Sequence, residues 1–458
     1  MRARILVLGF LAVSASPQNS RAASLDVTSF YRMRALSYTN LNLDTNNKNS
    51  HSFIANDAKL GFAVQKIALE TRGPDETTMD VAILLHALGV SGSTTALSSA
   101  PFDRIANNYP SSNFTPFLEN AYLRVHYLFG LPLEATFGRQ SYKLGSGLVL
   151  DDDGAGFTGV SLRGQLPWWE MKLEGFIFND KNAMSGSPNT LDLAGLTLAL
   201  PTDGIWQLNE LVERDRSVQT VFGCSTGNPD SPNCLVSKAV RSFSSLRYQI
   251  SYGPMVFDGE AALEKGSATP AGPTPAPNHI TYNGNAQVVR AKWKQNLYKT
   301  GEGIARISLA RASGDKPGTS ATDEAFFPSH GHRFNGLERS GFGDFFGASP
   351  YDAFGGNYST TTASGLKPGT SGIVIVGAGF TPPAYKGIAL DMDYFLFQAD
   401  RVATGSGTLG SEWDFRLRYS ILDRFTLSAS AALFSIGTAS NPAKGSARKY
   451  GFEASGRF

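Results

Sequence analysis

Polar and apolar residues alternate one by one in several stretches of the chain, most regularly near its C-terminus. In GSEWDFRLRYSI, Trp413 and Leu417 fall on one side of an extended chain, whereas Arg416 and Arg418 fall on the other. A repeat of two residues is the pattern of a β-strand with two different faces. WWEMKLEGFIF and NAQVVRAKWKQN show the same repeat. The alternation therefore predicts an all-β fold.

The composition restricts where such strands can lie. Charged residues make up 17% of the chain, against roughly 25% in soluble domains, so a large solvated surface is not expected. No stretch reaches the ~18 consecutive apolar residues of a transmembrane helix; VAILLHALGV, residues 81–90, is among the richest. Only helices and closed barrels satisfy all backbone groups in lipid, so a membrane would be crossed by strands closed into a barrel.

The N-terminus predicts export. A positive start, Met1 to Arg4, precedes an apolar run from Ile5 to Val13 and then small residues, which is the pattern of a cleaved signal peptide. We place the signal peptide at residues 1–22, within one residue, and a single barrel domain at 23–458. The predicted location is the bacterial outer membrane.

Short and long connections alternate along the chain, as expected for a barrel with tight periplasmic turns and long external loops. Keeping that alternation through 201–240 requires a weak strand at about 205–213. The prediction is then a closed antiparallel transmembrane β-barrel of about 18 strands. They are 25–38, 52–71, 77–91, 118–128, 131–143, 158–166, 168–179, 190–200, 205–213, 242–252, 256–265, 281–297, 303–313, 371–381, 386–401, 411–421, 424–437 and 447–458.

The final strand, ARKYGFEASGRF, ends on Phe458. A terminal aromatic strand resembles the signal by which outer-membrane barrels are recognised, so we expect Phe458 to take part in assembly by the barrel assembly machinery. In an exported protein, Cys224 and Cys234 are expected to form one disulfide that closes a loop.

The stretch FGRQSYKLGSGLVLDDDGAGF (137–157) has the appearance of a site. Three adjacent carboxylates, Asp151, Asp152 and Asp153, form a weak candidate calcium loop, with a solvated loop as the alternative. No helix pattern follows the glycines, which argues against a phosphate site. Strict alternation places Arg139 on the lipid side, from which a bulge would turn it into the lumen or its side chain would snorkel to the headgroups.

The stretch AYLRVHYLFGLPLEATFGRQSYKLGSGLVLDDDGAGFTG, together with FFPSHGHRFNG (326–336), resembles the alginate-export-type porins. That resemblance implies an 18-stranded monomeric barrel that passes a charged polysaccharide. The predicted pore wall, however, carries both charges, which departs from the basic lumen of the family's alginate members. The residues assigned to it are Arg32, Arg34, Arg124, Arg139, Arg163, Arg247, Arg290, Lys292, Arg306, Asp391, Asp393, Arg416 and Arg418.

The longest connection, 315–370, is rich in aromatic residues and is expected either to narrow the mouth or to plug the barrel. Two functions follow: a porin for hydrophilic, charged solutes or an anionic saccharide, and a plugged barrel whose external loops bind a partner. Neither is an enzyme. Outer-membrane lipid and the solute are the expected partners, and neither a nucleic acid nor an obligatory cofactor or metal is expected.

Overall fold

The computed structural model describes a closed antiparallel barrel of 18 long strands. The described residues are 23–40, 50–70, 77–92, 114–152, 154–166, 170–180, 191–216, 219–220, 235–270, 279–297, 301–316, 321–330, 342–344, 370–402, 405–438 and 446–458. The predicted signal peptide, Asp153 and the pair Cys224 and Cys234 lie outside them. The expected disulfide and the cleavage site therefore stay predictions.

Each strand of the barrel pairs with the next strand along the chain. The strands are β1 Ser24–Thr39, β2 Ser50–Glu70, β3 Thr77–Gly92, β4 Phe117–His126, β5 Leu133–Gln140, β6 Phe157–Leu166, β7 Met171–Asp180, β8 Leu191–Pro201, β9 Ile205–Asp215, β10 Leu235–Tyr252, β11 Met255–Pro270, β12 Asn285–Leu297, β13 Gly301–Ala312, β14 Ile373–Thr381, β15 Ile388–Gln398, β16 Thr408–Leu422, β17 Phe425–Ile436 and β18 Ser446–Arg457. The prediction of 18 strands, including the weak strand that became β9, is confirmed.

Pairing between the first and last strands closes the sheet. The β1–β18 register runs from Phe30 opposite Arg457 to Thr39 opposite Arg448. Beyond it, the Ser29 amide donates to the Phe458 carbonyl at 2.8 Å, and the Phe458 amide donates back to Ser29 at 2.9 Å. Phe458 thus forms the last backbone pair of the seam. Its recognition by an assembly machinery stays a prediction.

The two faces of the strands differ as the alternation predicts. The outer face carries exposed apolar side chains such as Val27, Ile177 and Leu208. Near the end of the barrel that has short turns, Trp206 and Tyr248 stack on this face with ring centroids 4.3 Å apart. An apolar band with aromatic residues at its edge is the lipid-facing surface of an outer-membrane barrel.

The connections sort by length between the two ends of the barrel. Segments 202–204, 253–254, 298–300 and 423–424 join strands at one end, whereas 93–116, 141–156, 216–234 and 313–372 join them at the other. The only described helix is the short 3-10 turn Leu128–Gly130. Among the described residues no helix is long and apolar enough to cross a membrane. Short strand segments in the connections are Lys143–Leu144, Leu150–Asp151, Gln219–Thr220, Ile280–Tyr282, Thr322–Asp323, Thr370–Ser371 and Arg401–Val402.

The seam provides a direct test of closure. Met33 and Ala454 are directly opposite each other on β1 and β18. In a chain with Cys224 and Cys234 replaced by serine, we expect the pair Met33→Cys and Ala454→Cys to form a disulfide on oxidation. After protease cleavage at a site inserted in 271–278, the two fragments should stay joined until reductant is added.

The matched control pairs Met33→Cys with Leu427→Cys. Leu427 is the partner of Ala454 on β17, so it lies one strand further from Met33, at roughly 10 Å between backbones. Equal cross-linking of the two pairs, or none in either, would contradict the register of the seam.

Candidate functional site in the lumen

Charged side chains point inward from many strands of the barrel. On β16, for example, Arg416 and Arg418 alternate with the exposed, outward-facing Trp413, Leu417 and Tyr419. Twelve of the residues that the sequence assigned to the pore wall take inward positions in the same way. These are Arg32, Arg34, Arg124, Arg163, Arg247, Arg290, Lys292, Arg306, Asp391, Asp393, Arg416 and Arg418.

Arg139 lies on the outer face instead. It is opposite Ala121 on β4 and Thr158 on β6 and shares its side of β5 with the exposed Phe137. Its guanidinium donates to the Thr158 hydroxyl at 3.2 Å and to the Ala155 carbonyl. Assigning Arg139 to the pore wall was therefore wrong. No bulge reverses the alternation of β5, and the side chain instead reaches the connection above the strand.

The connection 141–156, which we call the inner loop, folds back inside the barrel. It leaves β5 and contacts the opposite wall, where the Ser146 amide donates to Glu260 of β11 at 2.6 Å and Arg247 of β10 donates to the Gly145 carbonyl at 3.0 Å. Gly145 has a φ of +60°, and a Cβ there would lie 2.5 Å from a Glu260 carboxylate oxygen. Only glycine permits so close an approach of the backbone to the wall.

The described parts of the connection 313–372, which we call the long loop, also lie against the inner wall. The Phe327 amide donates to Glu264 of β11 at 2.7 Å, and Arg241 of β10 donates to the Phe327 carbonyl at 2.8 Å. Further along, the Asp344 amide donates to Glu412 of β16 at 2.7 Å. The long loop is thus held on β10 and β11 and again on β16.

The inner loop and the long loop are joined to each other. Leu150 and His330 form a parallel bridge, in which the His330 amide donates to the Val149 carbonyl at 3.2 Å and the Asp151 amide donates to the His330 carbonyl. The His330 ring also packs edge-on against Phe157, with centroids 5.4 Å apart. Because they share these bonds, the two loops form one assembly across the lumen, so movement of one must break contacts of the other.

Beside this assembly lie two polar cavities, of about 320 Å³ and about 280 Å³. Both are lined by Asp344, Arg416 and Arg418. The first also contains Arg306, Asp391, Asp393 and Asp414, so its four carboxyl groups nearly balance its three guanidinium groups. The second also contains Arg32, Arg34, Lys449 and Glu453 and is predominantly basic. We call these two adjoining cavities the chamber. A solute in the chamber meets positive and negative side chains close together.

Asp344 lies between the two cavities and lines both of them. One of its carboxylate oxygens lies 2.9 Å from Lys449 of β18 and the other lies 3.4 Å from Arg416. The sequence analysis did not single out Asp344 or Lys449. The alternation of β18 places Lys449 inward, so parity contained a signal for it. Nothing in the sequence indicates where a residue in a connection as long as 313–372 will lie.

The two described carboxylates of the candidate calcium loop, Asp151 and Asp152, have protein partners. Asp151 forms an ion pair with Lys143 at 2.9 Å. Asp152 accepts the Tyr142 amide at 3.1 Å and the Gly156 amide at 3.0 Å. Burial raises the pKa of Asp152 to about 6 against the opposing effect of these bonds. Among the described residues no group of three potential metal ligands is found, and Asp151 and Asp152 serve to fold the inner loop.

A charge network lies on the inner wall formed by β1 to β4. His86 is 2% exposed, and its two ring nitrogens each lie 2.9 Å from a carboxylate, Nε2 from Asp57 and Nδ1 from Glu119. Nε2 forms a hydrogen bond with Asp57 at 2.9 Å. Because both ring nitrogens face groups that accept hydrogen bonds, the site favours the imidazolium form of His86. Arg32 pairs with Asp57 and Lys59 pairs with Glu119 at the ends of the network.

Replacing His86 tests the importance of this network. We expect His86→Gln to lower the stability of the barrel by about 3 kcal/mol, since it leaves two buried carboxylates without their shared cation. The change is measured by heating samples to a series of temperatures before electrophoresis and recording the temperature at which the band of folded protein is lost. His126→Gln is the control, because His126 also contacts two carboxylates but its side chain is 28% exposed. Equal effects of the two substitutions would contradict a special role for burial.

Two carboxyl groups, those of Asp315 and Glu324, lie together at the base of the long loop, outside the strands. The Glu324 amide donates to Asp315 at 3.2 Å, and the Asp315 amide donates to the Ser371 hydroxyl at 2.9 Å. Burial and a hydrogen bond with the Glu324 carboxylate raise the pKa of Asp315 to about 7. Protonated Asp315, which shares a hydrogen bond with the Glu324 carboxylate, therefore stabilises the base of the long loop. This stabilisation is complete below the ordinary carboxyl pKa near 3.8 and is lost as the pH rises through about 7.

Hydrogen exchange measures this pH dependence. Between pH 6 and pH 8, exchange of residues 313–330 should speed up by more than its intrinsic pH dependence. Asp315→Asn keeps a donor towards Glu324 at every pH, so it should remove the extra acceleration. An unchanged acceleration in that variant would show that another group is responsible.

Comparison with known proteins gives a fold rather than a family. No family model matches the chain, and no curated protein does. Among solved structures, Acinetobacter baumannii OccAB1 is similar with a TM-score of 0.56 at 9% identity, over 96% of this chain and 99% of that one. A. baumannii OccAB4 has a TM-score of 0.56 at 10% identity, over 94% and 98%.

Pseudomonas aeruginosa OccK2 (OpdF), solved in complex with glucuronate, has a TM-score of 0.50 at 11% identity, over 94% and 98%. These structures are not described as alginate exporters, so the resemblance to that family is supported only at the level of an outer-membrane porin. The closed sheet, its apolar outer band, and its loops of unequal length agree with these structures along nearly the whole chain. The protein therefore has the 18-stranded β-barrel fold of bacterial outer-membrane porins.

Proposed function

We propose that the barrel is an outer-membrane channel for passive diffusion of small hydrophilic solutes that carry a carboxylate. The chamber beside the joined loops supports this proposal most directly, because Arg416 and Arg418 line both of its cavities. Their side chains are 48% and 49% exposed, so the guanidinium groups keep donors directed at the lumen. Arginine binds carboxylates through paired, charge-assisted hydrogen bonds.

The carboxylates on the adjacent strand β15 would limit which anions pass. Asp391 pairs with Arg418 at 2.8 Å, and Asp393 pairs with Arg306 at 3.0 Å. A solute carboxylate must compete with these protein carboxylates for the same guanidinium groups. Fixed charges of both signs in a narrow lumen select solutes by charge and size. Weak, replaceable contacts of this kind suit a channel, in which a solute has to leave as readily as it enters.

The size of the solute follows from the loops. The described residues of the inner loop and the long loop bond to each other and to the barrel wall, and the cavities beside them have volumes of about 320 Å³ and about 280 Å³. Small sugar acids fit such spaces, and glucuronate is the ligand named for the similar OccK2 structure. A polysaccharide, as the alginate-export resemblance implies, would need both loops to move together. We therefore favour a small solute over a polymer.

Proteoliposome uptake tests the proposal. Wild-type protein should take up glucuronate faster than glucose, and Arg416→Gln combined with Arg418→Gln should reduce this preference roughly tenfold, because a hydrogen bond to a charged group contributes about 1.5 kcal/mol or more. Arg163→Gln is the matched control, since Arg163 faces inward but pairs with Glu174 at 3.0 Å away from the chamber. An equal loss in the control would argue against a site at Arg416 and Arg418.

A plugged barrel is the second candidate, and the bonds between the two loops are the observation that favours it. Planar-bilayer conductance separates the candidates. A channel should conduct ions as the intact protein, whereas a plugged barrel should conduct only after residues 321–369, which include His330 of the loop–loop bridge, are removed. Absence of conductance in the intact protein would overturn the channel proposal.

A further inference from the structure

Two cations face outward near the long-loop end of β9 and β11. Arg214 follows Leu208 and Val212 on the outer side of β9, and Lys265 follows Leu263 on the outer side of β11. Both side chains are exposed. Within the described part of the chain, neither side chain has an ion pair or hydrogen bond. These cations belong to the surface around the barrel and not to the lumen.

The register shows how close the two cations are. Arg214 is opposite Val240 on β10, and Val240 is opposite Ser267 on β11, two residues beyond Lys265. Two strand spacings and two residues separate their backbones by roughly 12 Å. Lys238 is exposed in the bulge that interrupts the pairing of β10 with β11. It adds a third cation between them.

Their depth follows from the aromatic residues below. Arg214 lies eight residues beyond Trp206 on the same face of β9. At ~3.3 Å per residue and a strand tilt of about 40°, the two residues are separated by roughly 20 Å along the membrane normal. The apolar band of an outer-membrane barrel is about 25 Å tall, and Trp206 with Tyr248 forms its lower edge. Arg214 therefore lies within about 5 Å of the upper edge, from which its long side chain reaches the lipid headgroups.

Apolar side chains lie beside and below the cations, and Glu210 of β9 lies among them on the outer face, where it accepts a hydrogen bond from the Ser244 hydroxyl. Val212, Val240 and Leu263 are 40%, 45% and 55% exposed on the outer face. The nearest acidic group is Asp192 of β8, which is directly opposite Arg214 but forms its ion pair with Arg216 at 3.0 Å. We call the outer surface around Arg214, Lys238 and Lys265 the rim. The rim is net positive, and the mostly apolar surface below it is suited to acyl chains.

We propose that this rim binds the phosphate of a phosphorylated membrane lipid, with Arg214 and Lys265 as its cationic ligands. Lysine and arginine side chains reach from the apolar face to the headgroup level, where anionic phosphate neutralises them. The acyl chains of the same lipid cover Val240 and Leu263. A free phosphate ion would gain only the charge contacts, so the combined surface points to a lipid. The site is independent of the proposed transport function because no lumen residue takes part.

Lipid A and dephosphorylated lipid A are the matched probes. Native mass spectrometry of the full protein in detergent should show lipid A bound more tightly than its dephosphorylated form. Arg214→Gln combined with Lys265→Gln should weaken lipid A binding about thirtyfold, since each cation near an anionic lipid surface contributes roughly fivefold. Asp192→Asn removes the acidic side chain directly opposite Arg214 and should strengthen binding a few-fold.

The control variant combines Lys386→Gln with Arg424→Gln, two exposed cations in the short turns at the opposite end of the barrel. It should bind lipid A as the wild type does, and both double variants should retain wild-type conductance. Equal binding of the two lipid forms, or equal losses in the two double variants, would overturn the proposal. Displacement of lipid A by millimolar inorganic phosphate would show that the rim is a free-anion site and would overturn the assignment to a lipid.

Discussion

The structure depends on one requirement, that every backbone amide and carbonyl inside the membrane has a partner within the sheet. An open sheet would expose two unpaired edges to lipid, at a cost of several kcal/mol for each unsatisfied group. The pairing of β1 with β18, extended by Ser29 and Phe458, removes both edges. Once the barrel is closed, the two-residue alternation of each strand determines which side chains meet lipid and which meet the lumen.

Inside the barrel, the wall carboxylates are as important for holding the loops as for carrying charge. Glu260 binds the inner loop, whereas Glu264 and Glu412 bind the long loop, each by accepting a backbone amide. These glutamates are almost fully buried, and a buried carboxylate needs such donors to offset the loss of water. The mixed charge of the wall is therefore partly structural. The exposed guanidinium groups beside Asp344 are the ones that remain directed at a solute.

Much of this architecture was predictable because it repeats. Alternation in GSEWDFRLRYSI and similar stretches predicted strand positions close to those observed. The need for short and long connections to alternate required a strand at about 205–213, where the pattern itself is weak, and the structure has this strand at Ile205–Asp215. Arg139 shows the limit of such reasoning. Parity placed it outside, and the assumption that an arginine prefers the lumen was wrong because the Thr158 hydroxyl and the Ala155 carbonyl provide local partners at the rim.

The sequence by itself determined the strands, the two faces of each strand and the end of the barrel on which the long connections lie, because these depend on spacing between near neighbours. Only the tertiary structure decided that the inner and long loops enter the lumen and join at Leu150 and His330, which are far apart along the chain. The chamber at Asp344 likewise combines strands from both ends of the chain with a loop between them. Contacts of that kind depend on the shape of the closed barrel, which no local pattern encodes.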